Sequence, residues 1–305
     1  MNVGVMRRKF CADGIMHIYQ RTRNAFNLFY SLEDFIVFVT IVSVQVRKFG
    51  INMLGMCLMI DHIHILASAE NLSQISQFIS AYTSIFVKEF NEVTGRKGPL
   101  FEAKYGSALK LELKRIRTAI SYLFNNPVEK KLCTKAQDYK WNFLKYLDPN
   151  KKRHIGSKRN LSRPLQRALT IVDDAYKKNK HLRYQLLTNL FRQLNTTEKE
   201  LLTDYIITVY LPINKKVAQK FFKSYDDMVP AVNSNTGSEY EITEAHFSKS
   251  DIQYREILQY LKTLNITDAK SLICAPDEIK VKLASQLRIF TSATTIQIKK
   301  FLHLA

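Results

Sequence analysis

Two short stretches of the chain hold the residue types that could do chemistry together. Met59 to Leu66 places His62 and His64 two positions apart, and Tyr122 and Asn126 stand four apart just before Pro127. The Ile- and Leu-rich composition around the histidines, following a glycine turn at Gly50, predicts a strand. Side chains alternate across a strand, so both imidazoles fall on one face and Ile63 on the other, toward a core. Two imidazoles side by side on a rigid sheet are half of a metal site. Taken alone, such a tripeptide is more often two histidines on a solvated sheet face than a metal site. Residues four apart on a helix face the same way, so Tyr122 and Asn126 would project a phenol and an amide from one rigid element. If that helix packs beside the histidine strand, four polar groups converge. Taken singly, Tyr122 could be a core aromatic, one of fifteen tyrosines, and Asn126 could simply close a helix. Tyr82 is the rival nucleophile, but it falls on an apolar helix face with Phe86 as its i+4 neighbour.

The elements that must position these groups follow from periodicity. Residues 14–20 predict a first strand. Ser31 with Asp34 resembles a capping box and opens a helix whose Phe35, Phe38, Val39, Val42 and Val46 share a face, ending near Gly50. Residues 51–59 and 62–68 predict two further strands. A helix from Asn71 to about Thr94 carries Ile75, Phe78, Ile79, Tyr82, Ile85, Phe86 and Phe90 at helical spacing. A fourth strand is predicted over 100–109 and a helix over 112–125, ended by Pro127. The order β-α-β-β-α-β, then a helix, predicts an α+β fold: a ferredoxin-like (RRM-like) antiparallel sheet with packed helices. Residues 147–163 are polar, basic and broken by Pro and Gly, and predict a linker, either merely solvated or in contact with phosphate. Beyond it an all-α domain is predicted over 164–305. Its helices fall at 164–178, 182–194, 197–211, 215–225 and 251–264, with a capping box at Thr197 and Glu200 and a loop at 233–238. Two short helices over 276–304 around Thr291-Ser292 have the pattern of a helix-turn-helix, carrying Arg288, Gln297, Lys299 and Lys300; plain packing gives the same pattern. The division is therefore 1–146, a linker at 147–163, and 164–305.

Charge limits the partners. The 305 residues carry 46 Lys+Arg against 27 Asp+Glu, a formal +19, and 46% are hydrophobic. Residues 1–160 hold +13 of that excess and the rest +6. Such a balance points to nucleic acid first and an anionic membrane second. The longest apolar run, Phe35 to Val44, is shorter than the roughly 18 residues a membrane span needs. Cys11, Cys57, Cys133 and Cys274 form no C-x-x-C pair, which argues against a zinc ribbon and fits a reduced, cytoplasmic setting. No signal-peptide pattern follows the basic Arg7-Arg8-Lys9.

Several motifs in order then resemble one family. They are His17-Ile18-Tyr19-Gln20-Arg21, Phe29 through Asp34, Leu58 through Leu66, Phe90-Asn91 with Gly98-Pro99-Leu100-Phe101, and Tyr122 through Val128. Over roughly residues 14–133 the chain resembles the REP-associated tyrosine transposases of the single-tyrosine HUH superfamily. It departs in having Asp61 where Asn is usual, and Phe101 near a usual Trp; by strand alternation Asp61 is expected to face away from the histidine pair. The resemblance implies metal-dependent nicking and strand transfer on single-stranded or hairpin DNA through a covalent 5′-phosphotyrosine. It implies Tyr122 as nucleophile, His62, His64 and Asn126 as ligands of Mg²⁺ or Mn²⁺, and a protein that is mobile or domesticated. The contrasting expectation is a non-cleaving DNA-binding regulator that keeps the fold. Candidate phosphate contacts are Arg21, Arg23, Arg96, Lys97, Lys104 and Lys110. Lys114 and Arg115 complete that set, and either, about two turns before Tyr122, could share its helix face. Phe101 and Tyr105 are candidates for stacking on unpaired bases, or for the core. The sequence leaves monomer or homodimer open.

Overall fold

The computed structural model of the chain describes residues 9–150, 161–234 and 251–304. Its centre is a four-stranded antiparallel sheet built from β1 (Ile15–Arg21), β2 (Asn52–Leu58), β3 (His62–Ser68) and β4 (Gly106–Lys110), in the order β2-β3-β1-β4. That order, with helices α1 (Leu32–Lys48) and α2 (Leu72–Thr94) in the two crossovers and α3 (Leu113–Glu129) after β4, is the ferredoxin-like α+β arrangement expected from the sequence. Among the described residues eight further α-helices follow: α4 (Arg163–Lys177), α5 (Tyr184–Arg192), α6 (Thr196–Val209), α7 (Lys215–Gln219), α8 (Tyr225–Asn233), α9 (Gln253–Thr263), α10 (Asp277–Phe290) and α11 (Thr295–Leu302).

One sheet face is closed by α1 and α2. Phe38, Phe78, Tyr82 and Phe86 are fully buried there, and Tyr82 Oη donates to Gln20 Oε1 at 2.9 Å. The other face lies under α3. Gly55 makes that approach possible: a Cβ at this position would come within 3.2 Å of Leu123 and 3.5 Å of Phe124. Gly106 does the same for Tyr19, its cross-strand partner, whose ring a Cβ would overlap.

The helices beyond residue 160 sit directly on this core. Asp34 is the main polar joint. Its Oδ2 accepts the Tyr30 and Ser31 backbone N–H groups at 2.8 Å each, and its Oδ1 accepts from Tyr184 Oη at 2.7 Å and Lys270 Nζ at 2.9 Å. A fully buried carboxylate needs such partners to offset its lost hydration. At the chain's end, Tyr30 Oη donates to Phe301 O at 2.6 Å and the two rings meet edge to face.

Four local expectations change. Residues 100–105 are not strand: Leu100 and Phe101 turn into the core, and Phe101 meets the sheet only through an isolated bridge to Thr22. Phe101 is thus core rather than a stacking platform. The helix bearing Tyr122 does not stop at Pro127 but continues to Glu129, with Asn142 Nδ2 donating to Phe124 O at 2.8 Å beside the disrupted bond. The capping box of α6 is formed by Asn195 and Glu198, because the helix starts two residues earlier than Thr197 allows. A helix, α8, occupies residues that include part of the expected 215–225 segment and the start of the expected 233–238 loop. The rest of that loop, and 151–160 of the linker, lie outside the described residues.

Candidate active site

The register of the sheet assembles the site. β1 and β3 pair so that Tyr19 lies opposite His64, Arg21 opposite His62, and His17 opposite Leu66. His17, Tyr19 and Arg21 therefore share a face with His62 and His64. The two β3 imidazole centroids are 5.0 Å apart, and His17 stands 5.3 Å from His64. From above, α3 brings Tyr122, whose ring centroid is 5.9 Å from His64 and 6.1 Å from His17, both edge to face. Asn126 arrives one turn later, its Nδ2 3.4 Å from His64 Nε2. Tyr122 is buried, yet it stands outside the contiguous apolar core that takes in its neighbours Ile120, Leu123 and Phe124. The four groups anticipated from spacing do come together.

Hydrogen bonding orients the rings. His17 Nε2 and His64 Nδ1 are 3.2 Å apart. An amide NH₂ only donates, so His64 Nε2 facing Asn126 Nδ2 must accept, and His64 Nδ1 then carries the proton given to His17. This tautomer turns the Nε2 lone pair toward Asn126. His62 Nδ1 lies 2.6 Å from Asp61 Oδ1, so that ring would bind a cation through Nε2. Asp61 does not face away from the pair. It precedes the first residue of β3, where strand alternation does not govern direction. Burial pushes its carboxyl up, but the hydrogen bond and charge of His62 and the ammonium of Lys300 outweigh this and hold it well below the usual carboxylate range. Lys300 Nζ reaches Asp61 Oδ2 at 3.1 Å. Nearby Asp251 is pushed up to about 7 by burial and by the charge of Asp61.

The donor set fits a divalent cation. Asn126 Oδ1 is a buried acceptor with no hydrogen-bond partner, beside His64. Among the described residues, no three His, Cys, Asp or Glu side chains are grouped to hold a metal ion.

Residues 14–126 match the family model for IS200-like transposases. A solved structure of the REP-associated tyrosine transposase bound to a REP hairpin also matches, at 14% identity and a TM-score of 0.37, covering 46% of this chain and 82% of that one. No curated protein matches the chain.

Within the segment that matches the family model the eight cations expected at DNA are not equivalent. Arg23, Lys97, Lys104, Lys114 and Arg115 are exposed, Arg115 near Glu112 at 3.7 Å. Arg21 is half-buried beside His62. Arg96 directs its guanidinium into its own turn, donating to Asn91 Oδ1, Gly98 O and Pro99 O. Lys110 is buried and cannot meet a phosphate without leaving its place. Lys114 and Arg115 are exposed at the start of α3, whereas Tyr122 is buried two turns on; Arg115, seven residues earlier, lies within about 20° of it around the helix. In α10 and α11, Gln297 and Lys300 turn inward, which leaves Arg288 and Lys299 on the surface. No helix among the described residues is long and apolar enough to cross a membrane.

Sequence reasoning missed His17, the Asp61 contact and Lys300. The signal for His17 was its place in the first strand two residues before Tyr19, but only the β1–β3 register puts it against His64. Nothing local could pair Lys300 with Asp61 across 239 residues.

Proposed function

We propose that residues 14–126 nick and rejoin single-stranded DNA through a covalent bond between Tyr122 and a 5′ phosphate. The observation that carries this reading is the placement of a buried phenol between two imidazoles and a buried amide, outside the apolar core. In the reaction, Tyr122 Oη forms a bond to phosphorus as the bond to the 3′ oxygen breaks. The phenol loses its proton and the departing strand gains a 3′ hydroxyl. Bond energy is retained in the phosphotyrosine, so a second 3′ hydroxyl can reverse the step and join strands. A divalent cation, Mg²⁺ or Mn²⁺, held by His62, His64 and Asn126 would supply Lewis-acid polarisation of the phosphate. His17 holds the His64 tautomer, and Asp61 fixes the His62 ring, as partners behind metal-binding imidazoles generally do. The exposed Arg23, Lys97 and Lys104 are the surface that would meet the phosphate backbone of single-stranded or hairpin DNA. The division at 147–163, with residues 164–305 as a helical domain added to the nuclease, is part of the same proposal.

One observation favours a second reading, a DNA-binding regulator that does not cut. His64 and Asn126 are almost fully buried and Tyr122 is 3% exposed, so α3 must move before a phosphate can enter. Incubation with single-stranded hairpin DNA and Mn²⁺ separates the two. The nuclease gives a covalent adduct that Tyr122→Phe abolishes; binding with no adduct across many such substrates supports the regulator.

A further inference from the structure

A cavity of about 610 Å³ opens where β1 ends, and four of its ten lining residues come from outside the family-matching segment. Arg21, Thr22 and Phe26 line one side, and Ile296, Lys299 and Lys300 of α11 the other. Its position is fixed relative to the candidate active site by two independent links. Arg21 is the cross-strand neighbour of His62 on the same sheet face. Lys300 bonds Asp61, which bonds His62. The wall at residues 24–25 is strained: Asn24 and Ala25 both have left-handed backbone, φ 56° and 53°. An alanine there costs on the order of 1–3 kcal/mol and persists only when its surroundings hold it, a pattern that clusters at binding sites. Here Thr22 Oγ1 holds the loop through Phe26 O at 2.5 Å and Asp61 O at 3.2 Å.

The cavity's chemistry is two-sided. Phe26 and Ile296 give it an apolar surface, and Ile296 is 52% exposed. Arg21 and Lys299 give it positive charge, Lys300 being neutralised by Asp61, and Glu102 stands at the same wall as the one carboxylate. An apolar surface flanked by two cations suits an unpaired nucleotide, with its base on the apolar side and its phosphate at the cations.

We propose that α11 completes a single-nucleotide subsite for the DNA strand next to the candidate metal centre, so that the C-terminal helices take part in holding substrate. The inference rests on the nuclease reading for its ligand class, and it predicts effects of opposite sign within one cavity. Fluorescein-labelled dT20 is titrated into the full chain and followed by anisotropy over a range of salt. Lys299→Glu should weaken binding several-fold and lower the salt slope by about 1, as expected for one lost phosphate contact. Glu102→Gln should tighten binding, an outcome that damage to the fold would not give. Lys282→Glu, equally exposed on α10 but outside the cavity wall, should weaken binding less than Lys299→Glu. Unchanged affinity in both cavity variants overturns the subsite, and so does an equal response at Lys282. The adduct assay with Mn²⁺ reports separately. Adduct formation with affinities blind to Lys299 and Glu102 leaves the nuclease standing and removes the subsite. The opposed shifts without any adduct establish the cavity as a nucleotide site and remove the nuclease.

Discussion

The two faces of the sheet each bury a tyrosine under a helix, and they bury it differently. Tyr82 lies on α2 among Phe38 and Phe78, ring centroids 5.7 and 5.0 Å away, and donates a hydrogen bond to Gln20. Burial drives its pKa far above that of a free phenol, which fixes it as neutral and structural. Tyr122 lies on α3 among imidazoles, with Asn126 one turn beyond. One face is an apolar interior around a small satisfied polar group, Tyr82, Gln20 and Thr83. The other is a buried polar cluster, and such clusters are costly unless their members are held by one another. Burial alone therefore does not separate a core tyrosine from a reactive one; the identity of the neighbours does.

The sharpest way to break the contrast is to remove each phenolic oxygen in turn. Tyr122→Phe should abolish the Mn²⁺-dependent adduct, read as a gel-shifted band on denaturing gels. Tyr82→Phe should keep the adduct and lose about 1 kcal/mol of stability in urea unfolding, the usual worth of one buried hydrogen bond. A Tyr82 variant that loses the adduct while staying folded would reverse the assignment of the two faces.

A smaller effect is expected one layer behind the ligands. His17→Phe keeps an aromatic ring in place but removes the acceptor for the His64 proton. Mn²⁺ affinity measured by titration calorimetry should fall about 10–100-fold, the range for lost partners of metal-binding histidines. Unchanged affinity would show that the His17–His64 contact does not set the tautomer.

The smallest effect concerns acid. The Asp61 carboxyl has a folded pKa below its unfolded value of about 3.9. It therefore stabilises the fold above that pH, and the contribution is lost as pH falls toward the folded value. Melting temperature should drop as pH is lowered through about 4, and Asp61→Asn should flatten that drop. An equally steep decline in the variant would place the acid sensitivity elsewhere.

Much of the fold was legible because its elements announce themselves. The face of Ile75, Phe78, Tyr82 and Phe86 specifies α2, and the β-branched run after Ser31 resolved into α1 because Asp34 caps it. His62 with His64, and Tyr122 with Asn126, were legible as two same-face pairs, since strand and helix periods are local properties. What was not legible is long-range. That His17 touches His64 depends on a register between two strands 47 residues apart. That Lys300 meets Asp61 depends on where α11 docks, which no local pattern encodes. The misplaced fourth strand has the same origin: Leu100 and Phe101 have strand-like side chains but are drawn into the core beside α2, where Phe86 and Phe101 centroids lie 6.4 Å apart.

The most direct test is to find which residue carries the DNA. Adduct formed from hairpin-bearing single-stranded DNA and Mn²⁺ would be digested with nuclease and trypsin, and the modified peptide sequenced by tandem mass spectrometry. The account predicts a nucleotide phosphate on Tyr122 and on no other tyrosine. A nucleotide on Tyr82, Tyr19 or any other side chain, with Tyr122 unmodified, would contradict it.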